Sequence, residues 1–282
     1  AFLIAPGSRR REKPSRNLSK KWKARASSAP CGVPGEKTSR LPADNWQEEM
    51  FKAVIFDLDG TITRPVSSWR YIHEKLGKWD VLACRYQEMF LAGKISYRQF
   101  CELDARCWKG LPEEKIREMF AGIPFNKNAV FCLKKLRKLG LKLFGLSTGL
   151  QYVVQRVEEE VPFDGWLSNR LCSRKGVLTG QVKINITHGG KGRVLSRLLG
   201  PAGIRPEEAI AVGDSDGDLS LARACGYAIA FNSKSKRLNQ VAPYVCRTHD
   251  LKEVYQHIRL LWKKGEPVLH RSSQQSKDRA RQ

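Results

Sequence analysis

Apolar positions along the chain repeat in two ways, and the switching between them predicts the architecture. Phe51 to Phe56 is an apolar run broken only by Lys52, and it stops abruptly at Asp57-Leu58-Asp59-Gly60-Thr61. A run with no polar alternation reads as a strand covered on both faces, the usual state in a parallel sheet flanked by helices. Leu141 to Leu146, Phe163 to Ser168, Ala209 to Val212 and Tyr227 to Phe231 have the same form, and Val177 to Ile184 reads as part of a small hairpin. Between the strands the spacing becomes helical: Val130, Leu133, Leu136 and Leu139 before Gly140, then Val153, Val154 and Val157, then Leu195 and Leu199, with Asp250 to Leu261 closing the series. Strands alternating with helices predict an α/β fold built on a doubly wound, Rossmann-like parallel sheet.

The stretch after the first strand departs from this rhythm. Trp69, Ile72 and Leu76 mark one helical face that ends at Gly77, and Tyr86, Met89 and Phe90 mark a second that ends at Gly93. Ser96-Tyr97-Arg98-Gln99 has the form of a capping box, followed by Phe100, Leu103 and Cys107 at helical spacing. Pro112 opens a further helix with Ile116, Met119 and Phe120 on its inner face. Residues 64–125 therefore form a small all-helical cap inserted into an α/β core of residues 50–63 and 126–262, and the aromatic residues of the insert read as its packing. Residues 1–49 and 263–282 show no lasting periodicity and read as a disordered basic extension and a disordered basic tail. Met50 directly before the first strand suggests a natural start there, with residues 1–49 as an upstream extension; the rival reading is a basic targeting or RNA-contacting arm.

Charge changes the picture only in part. The 282 residues carry a formal net charge of +23, of which roughly +6 and +4 fall in the first 49 and last 20 residues. The rest gives the body a basic surface that concentrates anionic ligands. That suits a phosphorylated small molecule; nucleic acid remains a secondary partner, because no recognition motif accompanies the charge. The eight cysteines include no Cys-x-x-Cys pair, which argues against zinc, and most sit in apolar patterns as small hydrophobes. No run approaches membrane-spanning length. These features predict a reduced, cytoplasmic protein with no membrane partner, of unspecified oligomeric state.

Four clusters fall where strands or helices end: Asp57-x-Asp59-Gly60-Thr61, Ser147-Thr148-Gly149, Lys191 in a glycine-rich turn, and Asp214-x-x-x-Asp218. Ligand sites in such sheets lie at the carboxyl ends of the strands. Spacing of two puts Asp57 and Asp59 on one side of the strand exit, and carboxylates so close call for a cation. The four clusters supply carboxylates for a hard metal, a hydroxyl beside backbone amides, and a fixed ammonium, which are the needs of phosphoryl transfer. Two calcium-loop readings fail: a buried strand rather than a helix precedes Asp57, and Asp214-x-Asp216-x-Asp218 meets Leu219 and Cys225 where an EF-hand needs glycine and glutamate. Taken alone, Ser147 reads equally as a helix N-cap and Lys191 as a surface charge.

In this order the clusters resemble those of the haloacid-dehalogenase-like hydrolase superfamily, and the helical insert resembles its phosphoserine-phosphatase-like branch, over roughly Met50 to Leu261. The resemblance implies a Mg²⁺-dependent phosphatase acting on a small phosphomonoester, a phosphoserine-like metabolite, through an aspartyl-phosphate. It implies Asp57 as nucleophile and Asp59 as general acid, then base. Mg²⁺ would be held by Asp57, the backbone carbonyl of Asp59, and Asp214, with Asp218 a further ligand or a support. Ser147 and Lys191 match the phosphate binders; Thr148, Gly149 and Gly60 would offer amides or close approach, and Asn169 a polar wall of the substrate pocket. Alternatives are a phosphomutase or phosphotransferase on the same core, or a basic RNA-associated protein whose core is idle. The insert departs from the phosphoserine pattern: Pro65-Val66-Ser67-Ser68-Trp69 stands where a glutamate is expected, and Glu102 and Asp104 stand near the expected arginine, with Arg98 and Arg106 close by.

Overall fold

The computed structural model describes residues 51–264; the expectations for residues 1–49 and for the tail beyond the last helix lie outside the described residues. Seven strands form one sheet in the order β4-β3-β2-β1-β5-β6-β7. They are β1 (Ala53–Phe56), β2 (Lys142–Leu150), β3 (Gly165–Arg174), β4 (Val177–Lys183), β5 (Ala209–Gly213), β6 (Tyr227–Phe231) and β7 (Tyr244–Cys246). All neighbours are parallel except β3 and β4, which form the expected hairpin. The expectation of a doubly wound α/β sheet holds.

β1 lies at the centre, and its four residues are all buried. Val54 and Phe56 pack into one apolar layer with α5 (Ala129–Lys138), α6 (Gln151–Glu158) and α10 (Leu251–Lys264), while Ala53 and Ile55 pack into the other with α7 (Leu195–Leu199), α8 (Leu219–Ala224) and α9 (Lys236–Val241). Period two thus splits one apolar run between two cores. The register sets Phe56 beside Gly145 of β2 and Val212 of β5. The residues that follow these three strands therefore converge at one edge. β2 helps by breaking its ladder to β3 between Leu146 and Leu150, so that Ser147-Thr148-Gly149 leaves the regular pleat.

Between β1 and α5 lie α1 (Ser68–Lys75), a π-helical turn at Trp79–Ala83, α2 (Cys84–Leu91), α3 (Tyr97–Cys107) and α4 (Glu113–Ala121). The capping box at Ser96 and Gln99 forms as expected. Two faces differ from expectation. The buried residues of α3 are Phe100, Cys101, Asp104 and Ala105, not Leu103 and Cys107. The reason is a polar pair that a hydrophobic pattern discards: Asp104 is buried because its carboxylate meets His73 Nε2 at 3.1 Å, beneath the fully buried Trp108 ring. α2 has no fully buried residue, because Phe90 packs against the core with one side and borders a cavity with the other. β7 and α9 are not foreshadowed by the sequence pattern.

The helical insert is stitched to the β3–β4 hairpin. The N–H groups of Gly110 and Glu113 donate to the carbonyls of Leu178 and Gly176, and Leu178 N–H donates to Leu111. Glu113 anchors the seam. Its carboxylate accepts from Ser173 Oγ and from Tyr152 OH (3.2 Å), and pairs with Arg117 at 2.8 Å. Burial alone would raise the Glu113 pKa, but Ser173, Arg117 and Tyr152 outweigh it and hold it below the ordinary glutamate value. A depressed folded pKa contributes stability above the unfolded value and loses it as pH falls through the folded one. Glu113→Gln should therefore be less stable than wild type at pH 7, and the gap in urea midpoint should shrink below about pH 4. An equal gap at pH 3 and pH 7 would rule the carboxylate out as its source.

Candidate active site

Lys191 lies at the centre of the converging strand ends. It begins a short 3-10 turn (Lys191–Val194), is 2% exposed, and places Nζ 2.5 Å from Asp57 Oδ1 and 2.6 Å from Asp218 Oδ1. Burial pushes the lysine pKa down, but Asp218 and Asp57 beside it overcome that and keep it charged. Asp57 follows β1 directly, its N–H held by the Val212 carbonyl at 2.9 Å. Burial, then the carboxylates Asp218 and Asp214, push its pKa well above the usual aspartate value, against the pull of Lys191. Asp214, at the end of β5, is pushed up to about 7, by burial first and Asp218 second. One carboxylate oxygen from each of Asp57, Asp214 and Asp218 falls in a group spanning no more than 4.8 Å.

Three carboxyl groups face one ammonium, and their mutual repulsion adds to burial in raising the Asp57 and Asp214 pKa values; a cation among them would relieve it. All the donors are oxygens, which suits a hard divalent cation. Gly60 leaves the room: its φ is +83°, and a Cβ there would sit 2.5 Å from Asp214 Oδ2. Asp218 is the most committed of the three acids. Its Oδ2 accepts from the backbone N–H groups of Asp214 and Ser215 (3.1 Å each) and from Ser215 Oγ (3.2 Å), while its Oδ1 holds Lys191. It braces the loop as well as the ammonium.

Asp59 is in a different environment two residues from Asp57. Ser67 caps α1, so the N–H of Ser68 in the first turn has no partner within the helix. That N–H donates to Asp59 Oδ2 at 2.8 Å, and Ser68 Oγ donates to the same atom at 2.7 Å. Burial raises the Asp59 pKa and the two bonds from Ser68 oppose it; burial prevails. Asp59 Oδ1 is buried without a hydrogen-bond partner.

The Ser147 hydroxyl accepts from Gly149 N–H at 2.8 Å, leaving its own hydrogen to donate. The Thr148 carbonyl accepts from Tyr97 OH (2.8 Å), Asn169 Nδ2 (2.8 Å) and Trp69 Nε1 (3.2 Å), so two residues of the helical insert grip the core here. Asn169 needs correction. It is fully buried behind the cavity, and its amide is consumed by Tyr97, Thr148, Ile186 and Asn185. It is a brace, not a wall of the pocket. A cavity of about 250 Å³ opens over Asp57, Asp59, Thr148, Gly149 and Lys191. A larger one of about 910 Å³ adjoins it at Val66 and Ser215 and reaches Asp214, but touches none of those five.

The sequence model of the haloacid dehalogenase-like hydrolases matches residues 54–223. The phosphoserine phosphatase of Archaeoglobus fulgidus is 29% identical over 65% of this chain and 53% of its own length; the chain spans about half of that relative. That of Methanocaldococcus jannaschii is 27% identical over 75% of this chain and 100% of its own. The solved phospho-aspartyl intermediate analogue of a phosphoserine phosphatase is 26% identical, with a TM-score of 0.63 over 73% of this chain and 98% of its own. The chain belongs to the haloacid dehalogenase-like hydrolases, in their phosphoserine-phosphatase-like branch. It is a phosphoric monoester hydrolase.

The structure brings together Asp57, Asp59, Gly60, Ser147, Thr148, Gly149, Lys191, Asp214 and Asp218. The sequence reading passed over Ser68, Tyr97 and Asn126. Asn126 Nδ2 lies within 3.2 Å of the carbonyls of Gly60, Thr61 and Thr63 and holds the loop after β1. Ser68 had a signal, since a serine pair before an apolar helical face marks a helix start whose free N–H groups attract a carboxylate. Tyr97 and Asn126 had none. Gly149 supplies the sharpest test of the geometry. A Cβ there would meet Asp59 Oδ2 at 2.2 Å and Ser68 Oγ at 2.4 Å, so Gly149→Ala must displace the acid. It should lower kcat/KM about 100-fold while far-UV dichroism stays that of wild type. A folded variant with the wild-type rate would refute the placement of Asp59.

Proposed function

We propose that this chain is a Mg²⁺-dependent phosphomonoesterase for a small phosphorylated metabolite, working through an aspartyl-phosphate on Asp57. The observation that carries this reading is the contrast between two acids two residues apart. Asp57 lies against Lys191 and the other carboxylates; Asp59 lies at a helix N-terminus with one oxygen unpartnered. Unequal environments divide two carboxyl groups between nucleophile and proton donor.

Asp57 attacks phosphorus in line, and the bond from phosphorus to the leaving oxygen breaks. Asp59, whose buried Oδ1 has no hydrogen-bond partner, gives its proton to the departing alkoxide. The carboxylate so formed then takes a proton from water, which attacks the aspartyl-phosphate and releases inorganic phosphate, regenerating both acids. Lys191 and the Ser147 hydroxyl hold phosphoryl oxygens, with backbone N–H groups of the Thr148–Gly149 segment beside them. Mg²⁺, when bound by Asp57, the Asp59 carbonyl and Asp214, with Asp218 bracing, supplies the remaining positive charge for the phosphoryl group. A reducing, cytoplasmic setting accords with seven free cysteines among the described residues.

Phosphoserine, which the relatives' names specify for those proteins, is the reference substrate. Asp57→Asn should lower kcat on any hydrolysed phosphomonoester by roughly 10⁴-fold or more. A chelator should abolish wild-type turnover, and Mg²⁺ should restore it. Phosphate release that survives either treatment would sink the mechanism.

A further inference from the structure

The wall that would receive the leaving group carries no charge of its own to hold an amino acid. Among the described residues lining the 250 Å³ cavity, the only carboxylates are Asp57 and Asp59, and the only lysine or arginine is Lys191, which two aspartates already hold. The charged residues of the insert lie elsewhere. Arg98 is largely exposed and lies 3.9 Å from Glu102, and Asp104 is buried against His73. In place of charge the wall presents rings: Trp69, Phe90, Tyr97, Phe100 and His188. Phe90 stacks on Phe100 (5.4 Å, 19°) and meets Tyr97 and His188 edge to face (5.7 and 5.6 Å).

The apolar character continues outward. Val66 and Leu91 also line this cavity, and they are 71% and 72% exposed, among the most exposed large apolar residues described. Ser67, Gln87 and Ser215 are the uncharged polar side chains toward the mouth. Free ammonium and carboxylate groups would be desolvated here without partners, at a cost that rings cannot offset. A quaternary cation would need ring faces turned to one point, whereas the Phe90 and Phe100 faces are spent on each other. The volume is at the small end of ligand sites, suited to a phosphate and one ring-sized group.

We propose that the preferred substrate is the phosphomonoester of an uncharged alcohol bearing an aromatic group, received by the Trp69–Phe90–Tyr97–Phe100–His188 wall and the Val66–Leu91 mouth. This rests on the phosphatase reading above and narrows its substrate.

The test compares 2-phenylethyl phosphate, phosphoserine and phosphocholine, all primary alkyl esters, on the full chain with Mg²⁺. kcat/KM for 2-phenylethyl phosphate should exceed each of the others by about 10-fold or more, the worth of burying much of one ring. Leu91→Asp changes an exposed residue of α2 and should keep the wild-type melting temperature, whereas Phe90→Ala removes the stack on Phe100 and should lower that temperature while far-UV dichroism stays that of wild type. Each should lower that preference several-fold by raising KM, with kcat less affected. Faster hydrolysis of phosphoserine or phosphocholine overturns the proposal and leaves the phosphatase reading intact, as does an equal loss on all three esters in both variants. Hydrolysis of none of the three overturns both.

Discussion

The site depends on one buried ammonium held between two carboxylates. Lys191 has almost no contact with solvent, and it joins the end of β1 through Asp57 to the loop after β5 through Asp218. A buried charge persists only when it is paired and its partners are themselves hydrogen-bonded. Asp218 meets that condition by accepting three further bonds from Asp214 and Ser215. Removing one partner of such a pair leaves the other charge buried and alone, a cost of about 3–5 kcal/mol. The ammonium is therefore a joint of the fold, set where the strand ends converge. Because one ammonium faces three clustered carboxyl groups, the same joint leaves room for a divalent cation.

Asp57 and Asp59 show how little sequence separates two chemical environments. A strand alone would put both side chains on one side of the exit. What differs is the next element each meets. Asp57 meets Lys191 and the acids after β5, while Asp59 meets the first turn of α1, where helix geometry leaves N–H groups free. Asn126 holds the carbonyls of Gly60, Thr61 and Thr63 in the loop that follows both acids and leads to α1. The division follows from topology: β1 supplies both carboxylates, and the helical insert that interrupts the sheet directly after it supplies the serine that sets Asp59 apart.

Much of this was legible before the structure because the informative residues violate the pattern around them. Asp57, Asp214 and Ser147 each end an apolar run, and a polar residue ending a buried strand stands out. β1, β2, β5 and β6 were legible for the same reason. What escaped was polar yet buried, or apolar yet exposed. Asp104 reads as a surface acid until His73, 31 residues earlier, is found against it. Asn169 is a pocket residue by the family resemblance alone, yet its amide serves the backbone behind the cavity. Phe90 and Tyr97 read as core because aromatic residues in a helical insert generally are. Only the three-dimensional placement shows that they are shared with a cavity. β7, with three residues, is too short for any period to register.

The insert is held unevenly, and that has a consequence for specificity. Its α3–α4 end is bonded to the β3–β4 hairpin through backbone pairs and Glu113, and Tyr97 and Trp69 fix it to the Thr148 carbonyl. Those contacts set the insert against the residues that would hold phosphate, so the chemistry and the lid share one frame. α2, by contrast, contributes no fully buried residue and gives the cavity Gln87, Phe90 and Leu91. A substitution at its exposed Leu91 removes little packing, because large stability losses come from buried groups. The exposed mouth at Leu91 is thus less tied to folding than Lys191, Asp57 and Asp218, which are buried and bonded to one another. One core can keep the same reaction while its substrate changes, because the two requirements fall on elements with different energetic weight.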